Sequence, residues 1–173
     1  MSRLYSLPAG KNPPTEVNAV IEVPMGSRNK YEYDKETDLI RLDRPLFSPM
    51  HYPGDYGFIP STLADDGDPL DILILMREKT FPGCLIFARP VGMLVMKDEK
   101  GHDEKIFAVP ISDPSYATVH NLSDIRPHYL REVDHFFRIY KELEGKEVTS
   151  MGWKDRWEAE KMIMECIEAA KKE

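Results

Sequence analysis

The residues best suited to chemistry in this sequence are carboxylates crowded into one short turn. Asp66, Asp68 and Asp71 lie around a glycine and a proline, and the apolar segment 72–76 follows directly. Glycine and proline favour a turn over a helix here. Repulsion within such a cluster is costly unless solvent or a cation offsets it, and carboxylate oxygens suit a hard divalent cation such as Mg²⁺. The turn therefore indicates a cation site, although a solvated Asp-rich surface turn would leave the same pattern.

A second acidic group lies in residues 97–105, in the loop of a predicted hairpin. A charged loop of this kind, taken alone, is typical of a solvated turn. Together with the first turn, Asp98 and Asp103 could complete the coordination of several cations. The sequence pattern by itself leaves both interpretations open.

Groups that could bind an anion are spread along the chain. The hydroxyls of Tyr52 and Tyr56 could donate to phosphate oxygens, although both rings could instead complete the core. Glu32 lies two residues after a lysine in a predicted strand, so the two side chains share a face. The basic residues that could reach an anion are Lys30, Arg44, Arg89, Lys105 and Lys141. Cations beside a carboxylate-rich pocket would help metal ions to offset the charge on phosphate.

The elements that must position these groups change in character along the chain. In the first half, which many prolines punctuate, strands are predicted over residues 17–23, 31–34, 39–43, 71–76, 84–89, 91–96 and 106–109. After residue 124, apolar residues recur at helical spacing and predict helices over residues 127–145 and 155–170. Strands followed by helices predict an α+β fold, a small barrel flanked by C-terminal helices. No repeat or linker divides the chain, so one domain over residues 1–173 is predicted.

Composition narrows the class of protein. With 42% hydrophobic and 31% charged residues, the chain is expected to be ordered and globular. A net charge of −7 argues against general binding to nucleic acid or to an anionic membrane. No apolar run approaches the roughly 20 residues that span a bilayer, and residues 1–12 do not resemble a secretory signal. Cys84 and Cys166 fit no metal-ligand spacing and are predicted to be reduced core residues of a cytoplasmic protein.

The same residues resemble a known family. The run Asp-Gly-Asp-Pro-Leu-Asp at 66–71 matches the D-G-D-P-x-D signature of the family I soluble inorganic pyrophosphatases. Further matches follow in the family's order and spacing, at residues 20–24, 30–32, 43–44, 52–57, 89–92, 98–99, 103, 105, 135–137 and 140–141. A set of this kind is highly specific, so the resemblance favours a cation site over a solvated turn.

The resemblance implies a five-stranded OB-like barrel and hydrolysis of pyrophosphate to two phosphates. A water activated by several Mg²⁺ ions would attack phosphorus directly, with Asp68 as the general base. The implied metal ligands are Asp66, Asp71, Asp103, Asp98, Glu22 and Glu32. The implied substrate-binding residues are Lys30, Arg44, Tyr56, Lys105, Tyr140 and Lys141.

The resemblance also implies a homo-oligomer, with a hexamer favoured. In hexameric members a second histidine often follows the one at His135, whereas this sequence has Arg138 and Ile139 there. The chemistry of that interface is therefore expected to differ from the family pattern.

Two other functions stay open at this point. A metal-dependent hydrolase of another phosphoanhydride, such as a nucleotide or a short polyphosphate, would need the same groups. A non-catalytic OB-type module for nucleic acid would expose aromatic rings among Lys and Arg on a net-basic face. The predicted strand ends carry carboxylates instead, which disfavours the binding module.

Overall fold

The computed structural model of the protein describes residues 2–173. Its strands are β1 (Val17–Val23), β2 (Asn29–Asp34), β3 (Leu39–Pro45), β4 (Asp55–Phe58), β5 (Asp71–Ile74), β6 (Leu85–Asp98), β7 (Gly101–Pro110) and β8 (Thr149–Asp155). The helices are α1 (Pro127–Ile139) and α2 (Arg156–Ala170), and short 3₁₀ turns lie at Pro114–Tyr116, Leu122–Asp124 and Glu142–Glu144. The strands thus precede the helices, apart from β8.

Five of the strands close into a ring. The pairing order is β1, β4, β5, β7 and β6, and β6 pairs back to β1. The β5–β7 pairing is parallel, and the other four pairings of the ring are antiparallel. β8 pairs with β6 outside the ring, while β2 and β3 form a separate hairpin. The closed ring and the helices confirm the predicted α+β class and OB-like architecture.

Side-chain alternation along the strands produces two apolar clusters. On one face, Ile72 of β5 is buried in a cluster that includes Ile163 of α2. On the other face, Leu73 and Phe107 are buried with Phe136 of α1. Burying a side chain of this size contributes roughly 1.5–3 kcal/mol relative to exposure. Alternate residues of a strand share a face, so Lys105 and Asp103 of β7 point toward the α1 side, like Phe107.

The sequence patterns gave a wrong prediction for three strands, β6, β4 and β8. The predicted strands at 84–89 and 91–96 are one continuous strand, β6. Proline has no N–H to donate to a neighbouring strand, and Pro90 is tolerated inside β6 because it lies at a register shift. β4 was missed because all four of its residues are buried and so do not alternate. Glycine is typical of turns, but β4 requires it at Gly57, since a Cβ there would lie 1.8 Å from the Val20 carbonyl oxygen. β8, which is largely polar, was also not predicted.

The helices follow the prediction with one change. α2 begins after Asp155, whose carboxylate accepts the backbone N–H groups of Trp157 and Glu158 at 3.0 and 3.3 Å. α1 starts at Pro127 as predicted but ends at Ile139, and only Glu142–Glu144 of the remaining predicted helix form a 3₁₀ turn. Across residues 2–173, no helix combines the length and apolar character needed to cross a membrane.

Candidate active site

A polar cavity of about 550 Å³ lies where the acidic turn, the β2–β3 hairpin, the β6–β7 strands and the end of α1 meet. Twelve of the thirteen predicted site residues line it: Glu22, Lys30, Glu32, Tyr56, Asp66, Asp68, Asp71, Asp98, Asp103, Lys105, Tyr140 and Lys141. Nine carboxylate residues and six Lys or Arg residues contribute to its wall. The fold therefore brings residues far apart in sequence into one anionic pocket.

Lys105 lies at the centre of this charge arrangement. Its Nζ is 2.9 Å from Oδ2 of Asp71, 3.2 Å from Oδ2 of Asp103 and 3.0 Å from the hydroxyl of Tyr56. The same ammonium lies 5.0 Å from the centre of the Phe137 ring. Burial lowers the pKa of Lys105, but the two carboxylates outweigh burial, so its pKa lies well above the usual value. The lysine is therefore held as a cation.

Strand register explains why these groups meet. The parallel β5–β7 pairing sets Asp71 opposite Lys105. Asp103 lies two residues before Lys105 on β7, so both side chains project from the same face. Tyr56 of β4 is opposite Leu73 of β5, which shares its face with Asp71. All four polar groups consequently stand on the α1 side of the ring.

The acidic turn is closed by its own backbone. The Gly67 N–H donates to the Ala64 carbonyl at 3.0 Å, and φ at Gly67 is +86°, a conformation that favours glycine. The Asp68 N–H donates to Oδ1 of Asp66 at 3.0 Å. Burial raises the pKa of Asp66 above its usual value. The turn thus orients Asp66 through the backbone and leaves the side chain of Asp68 exposed at the cavity.

A second wall comes from β1 and the β2–β3 hairpin. Oε1 of Glu22 accepts the backbone N–H of Tyr33 at 2.8 Å. Burial raises the pKa of Glu22 to about 8, although that hydrogen bond opposes the shift. Lys30 contacts the carboxylate of Glu32, and its Nζ lies 3.5 Å from Oδ2 of Asp43. Lys30 and Glu32 therefore share a face, as predicted.

The residues that follow α1 complete the pocket. The Tyr140 ring is buried against Phe136, with ring centres 5.1 Å apart. Nζ of Lys141 lies 4.0 Å from Oδ2 of Asp98, the last residue of β6. Burial, followed by the charge of Lys105, lowers the pKa of Lys141. The end of α1 thus supplies a cation that is incompletely neutralised by its neighbours.

Three residues that were predicted to be able to bind an anion are not among the described residues that line the cavity. Arg44 is the thirteenth site residue and is not among the described residues lining the cavity; its Nε lies 2.8 Å from Oε1 of Glu144. Arg89 points elsewhere and donates to the carbonyls of Tyr116 and Val119 at 2.6 and 2.9 Å. Tyr52 is buried in the apolar cluster on the α1 side. Arg89 and Tyr52 are therefore structural residues.

Other wall residues were missed from the sequence. They are chiefly Tyr5, Lys35, Arg41 and Lys100. Arg41 lies opposite Glu32 on the β2–β3 hairpin, with 3.6 Å between Nη2 and Oε2, so hairpin register could have indicated it. Tyr5 carries no such local signal, because it reaches the cavity from a segment without regular structure.

The side chains of the cavity wall have the chemistry of a hard-cation site. Across residues 2–173, no three His, Cys, Asp or Glu side chains are grouped closely enough to hold a metal ion. Asp71 and Asp103 are instead paired with the ammonium of Lys105. The potential ligands in the wall are carboxylates and they outnumber the cationic side chains, which is the chemistry that Mg²⁺ prefers.

Comparison with known proteins decides the family. The family model described as Inorganic pyrophosphatase matches residues 19–171. The chain belongs to the inorganic pyrophosphatase family. Members of this family include an inorganic pyrophosphatase of Methanosarcina mazei, 56% identical over 147 residues that cover 85% of this chain and 87% of the relative. An inorganic pyrophosphatase of a Nostoc species is 49% identical over 168 residues, which cover 97% of this chain and 99% of the relative.

Solved structures agree with the sequence relatives. The crystal structure of the inorganic pyrophosphatase from Thermus thermophilus superposes with a TM-score of 0.95 at 47% identity, over 97% of this chain and 98% of that one. The resemblance to family I pyrophosphatases and the predicted fold are thereby confirmed. The chain is an enzyme that hydrolyses pyrophosphate to phosphate.

Proposed function

We propose that this pyrophosphatase uses several Mg²⁺ ions held in the carboxylate-lined cavity. The observation that carries the proposal is that nine carboxylate residues and six cationic residues line one pocket. The proposed metal ligands are Asp66, Asp71, Asp103, Asp98, Glu22 and Glu32. When bound, Mg²⁺ would screen the charge of pyrophosphate and lower the pKa of a coordinated water from 15.7 toward about 7.

Asp68 is the proposed general base. The turn uses its backbone, since its N–H donates to Asp66 and its carbonyl accepts the Ala64 N–H at 2.8 Å. The carboxylate is left exposed at the cavity, where it can accept a proton from the water that attacks phosphorus directly. Proton transfer to a positioned carboxylate accounts for roughly 10²–10⁴ in rate in such reactions.

The cations and phenols are proposed to bind the two phosphoryl groups. The proposed substrate-binding residues are Lys30, Arg44, Tyr56, Lys105, Tyr140 and Lys141. Charge on the transferred and departing phosphates would be stabilised by these side chains, which the fold holds in position before reaction. Because Lys105 contacts Asp71 and Asp103 directly, it also keeps both carboxylates oriented.

The test is phosphate release from pyrophosphate by the purified full chain. We expect release with Mg²⁺, loss of release on chelation, and a kcat about 10²–10⁴ lower in Asp68→Asn. Asp65→Asn is the matched control, since Asp65 is exposed on the same turn but is not among the described residues lining the cavity.

Two results would contradict the proposal: release that survives chelation would refute the Mg²⁺ requirement, and equal kcat in Asp68→Asn and Asp65→Asn would refute the general base. A parallel assay with ATP in Mg²⁺ tests whether another phosphoanhydride is a better substrate. We expect ATP to be turned over more slowly than pyrophosphate.

A homo-oligomer, with a hexamer favoured, is the proposed assembly. Large exposed apolar side chains such as Phe81, Phe87 and Trp157 support it, since association would remove such surface from water. Light scattering would then give six times the chain mass, and a monomeric mass would contradict it. The free thiols of Cys84 and Cys166 support the proposed cytoplasmic location, where thiols stay reduced.

A further inference from the structure

The segment before β1 contributes to the cavity wall through one aromatic side chain. Tyr5 lines the cavity together with Glu22 and Asp68, although it is far from both in sequence. The side chain is half-buried and belongs to a segment of turns and bends. A phenol therefore shares a cavity wall with the proposed general base and one of the proposed metal ligands.

Ser61 anchors this segment by its backbone and by its hydroxyl. Its N–H donates to the Tyr5 carbonyl at 2.9 Å, and its Oγ donates to the Leu7 carbonyl at 2.6 Å. Ser61 has φ +54°, a left-handed conformation that is costly for a residue with a Cβ. Two hydrogen bonds from a residue held in this conformation fix the position of the Tyr5 backbone.

The Tyr5 ring is fixed by two other rings. It meets Tyr33 edge to face with centres 5.1 Å apart and Phe58 with centres 4.9 Å apart. Tyr33 uses its own hydroxyl to hold the segment, because it accepts from Oγ of Ser2 at 3.0 Å and donates to Oδ1 of Asp38 at 2.5 Å. The Tyr5 hydroxyl, by contrast, has no hydrogen-bond partner within residues 2–173.

The chemistry of a phenol suits this place. A phenol is protonated at neutral pH, and burial, followed by the charge of Glu22, raises the pKa of Tyr5 further. Its O–H can therefore donate a hydrogen bond without adding charge to a wall that is already rich in carboxylates. A phosphate oxygen entering the cavity beside Asp68 is an acceptor of the kind that forms strong, charge-assisted hydrogen bonds.

We infer that Tyr5 is a further substrate-binding residue whose hydroxyl donates a hydrogen bond to a phosphate oxygen of pyrophosphate. The inference rests on the proposed function, because it assumes that substrate binds beside Asp68. The hydroxyl contacts substrate before and during reaction alike, so its loss weakens binding and leaves the chemical step nearly unchanged.

The test compares Tyr5→Phe with wild type in the full chain. Phenylalanine keeps the ring contacts with Tyr33 and Phe58, so the variant is expected to fold with a melting temperature close to wild type. We expect KM for pyrophosphate in Mg²⁺ to rise about tenfold with kcat within about twofold, the loss of one hydrogen bond to a charged acceptor. Calorimetry with inorganic phosphate and Mg²⁺ should show a matching loss of affinity, and Mg²⁺ titrated alone should bind as in wild type.

Tyr116→Phe is the matched control, because Tyr116 is half-buried and lies outside the group of described residues that line the cavity. Unchanged KM and unchanged phosphate affinity in Tyr5→Phe would overturn the inference. A fall in Mg²⁺ affinity would also overturn it, since the hydroxyl would then act on a metal ligand. The calorimetric measurement needs no turnover, so it decides the role of Tyr5 even if the proposed mechanism of hydrolysis fails.

Discussion

Two carboxylates at neighbouring strand starts are stabilised in opposite ways. Asp55, at the start of β4, is fully buried and accepts the Met25 N–H at 2.8 Å and the N–H and hydroxyl of Thr80 at 3.1 and 2.6 Å. Asp71, at the start of β5, is half-buried and lies 2.9 Å from the ammonium of Lys105. Neutral donors thus satisfy Asp55, whereas a cation satisfies Asp71.

The difference distinguishes a structural carboxylate from one that is proposed to bind a cation. The donors to Asp55 come from the loop after β1 and from the loop before β6, so the carboxylate ties two segments to β4. Asp71 instead faces a cavity in which further cations could replace or add to the contact with Lys105. The two regions should therefore respond differently to Mg²⁺.

The largest expected effect comes from removing the cation between the carboxylates. Lys105→Met leaves Asp71 and Asp103 without their partner, and breaking such a buried pair costs about 3–5 kcal/mol in the free energy of unfolding. Added Mg²⁺ should narrow the difference from wild type, because a cation bound at Asp71 and Asp103 would replace the missing ammonium and stabilise the variant more than wild type. Urea denaturation with and without Mg²⁺ measures both changes. Lys97→Met, at an exposed position of β6, is the control, and equal stability of the two variants without Mg²⁺ would refute the comparison.

A smaller loss is expected from Asp55→Asn. The amide cannot accept all three hydrogen bonds, so at least one buried donor is left unsatisfied, at a cost of about 2 kcal/mol in the free energy of unfolding. Because the proposed Mg²⁺ ligands do not include Asp55, Mg²⁺ should stabilise Asp55→Asn and wild type equally, and the difference between them should persist. The same denaturation series tests it. A narrowing of the difference from wild type in Mg²⁺ equal to that of Lys105→Met would remove the distinction between the two regions.

The smallest expected effect isolates one neutral donor. Thr80→Val keeps the shape of the side chain and removes the hydroxyl that donates to Asp55, for a loss of about 1 kcal/mol in the free energy of unfolding. Thr37→Val is a control of the same chemistry, since its hydroxyl donates to the carboxylate of Asp34 at 2.8 Å on an exposed turn. Thermal and urea unfolding should show a smaller change there. Equal losses at both positions would mean that burial of Asp55 contributes nothing.

Local patterns predicted the elements whose side chains alternate or recur at helical spacing. β1 was predicted from its largely apolar run, the β2–β3 hairpin from alternation and α2 from apolar residues at helical spacing. Local patterns failed where tertiary contacts decide whether a segment forms a strand. Gly57 and Pro90 have the identities of strand-breaking residues, but a close approach of β1 and a register shift in β6 place them inside strands.

Twelve of the thirteen residues that the family motif selected line one cavity. Composition and spacing alone left the acidic turn ambiguous between a cation site and a solvated surface. Arg44 was placed by the motif, and its ion pair with Glu144, a hundred residues later, depends on a contact that no local pattern contains. Tyr5 was missed for a similar reason, since its position depends on contacts with the distant residues Ser61, Tyr33 and Phe58. The metal ligands, the general base and the single-domain organisation stay predictions.

The pairing of β1 with β6 has a consequence for how the chain acquires activity. It joins residues that are 65 to 71 positions apart, and the parallel β5–β7 contact that sets Asp71 beside Lys105 is also non-local. Such contacts form late in folding, because the entropy of closing long loops must be lost before the contacts are gained. A nascent or partly folded chain therefore has neither the pocket nor its central lysine between two carboxylates. Catalytic competence should emerge in one step with the completed ring.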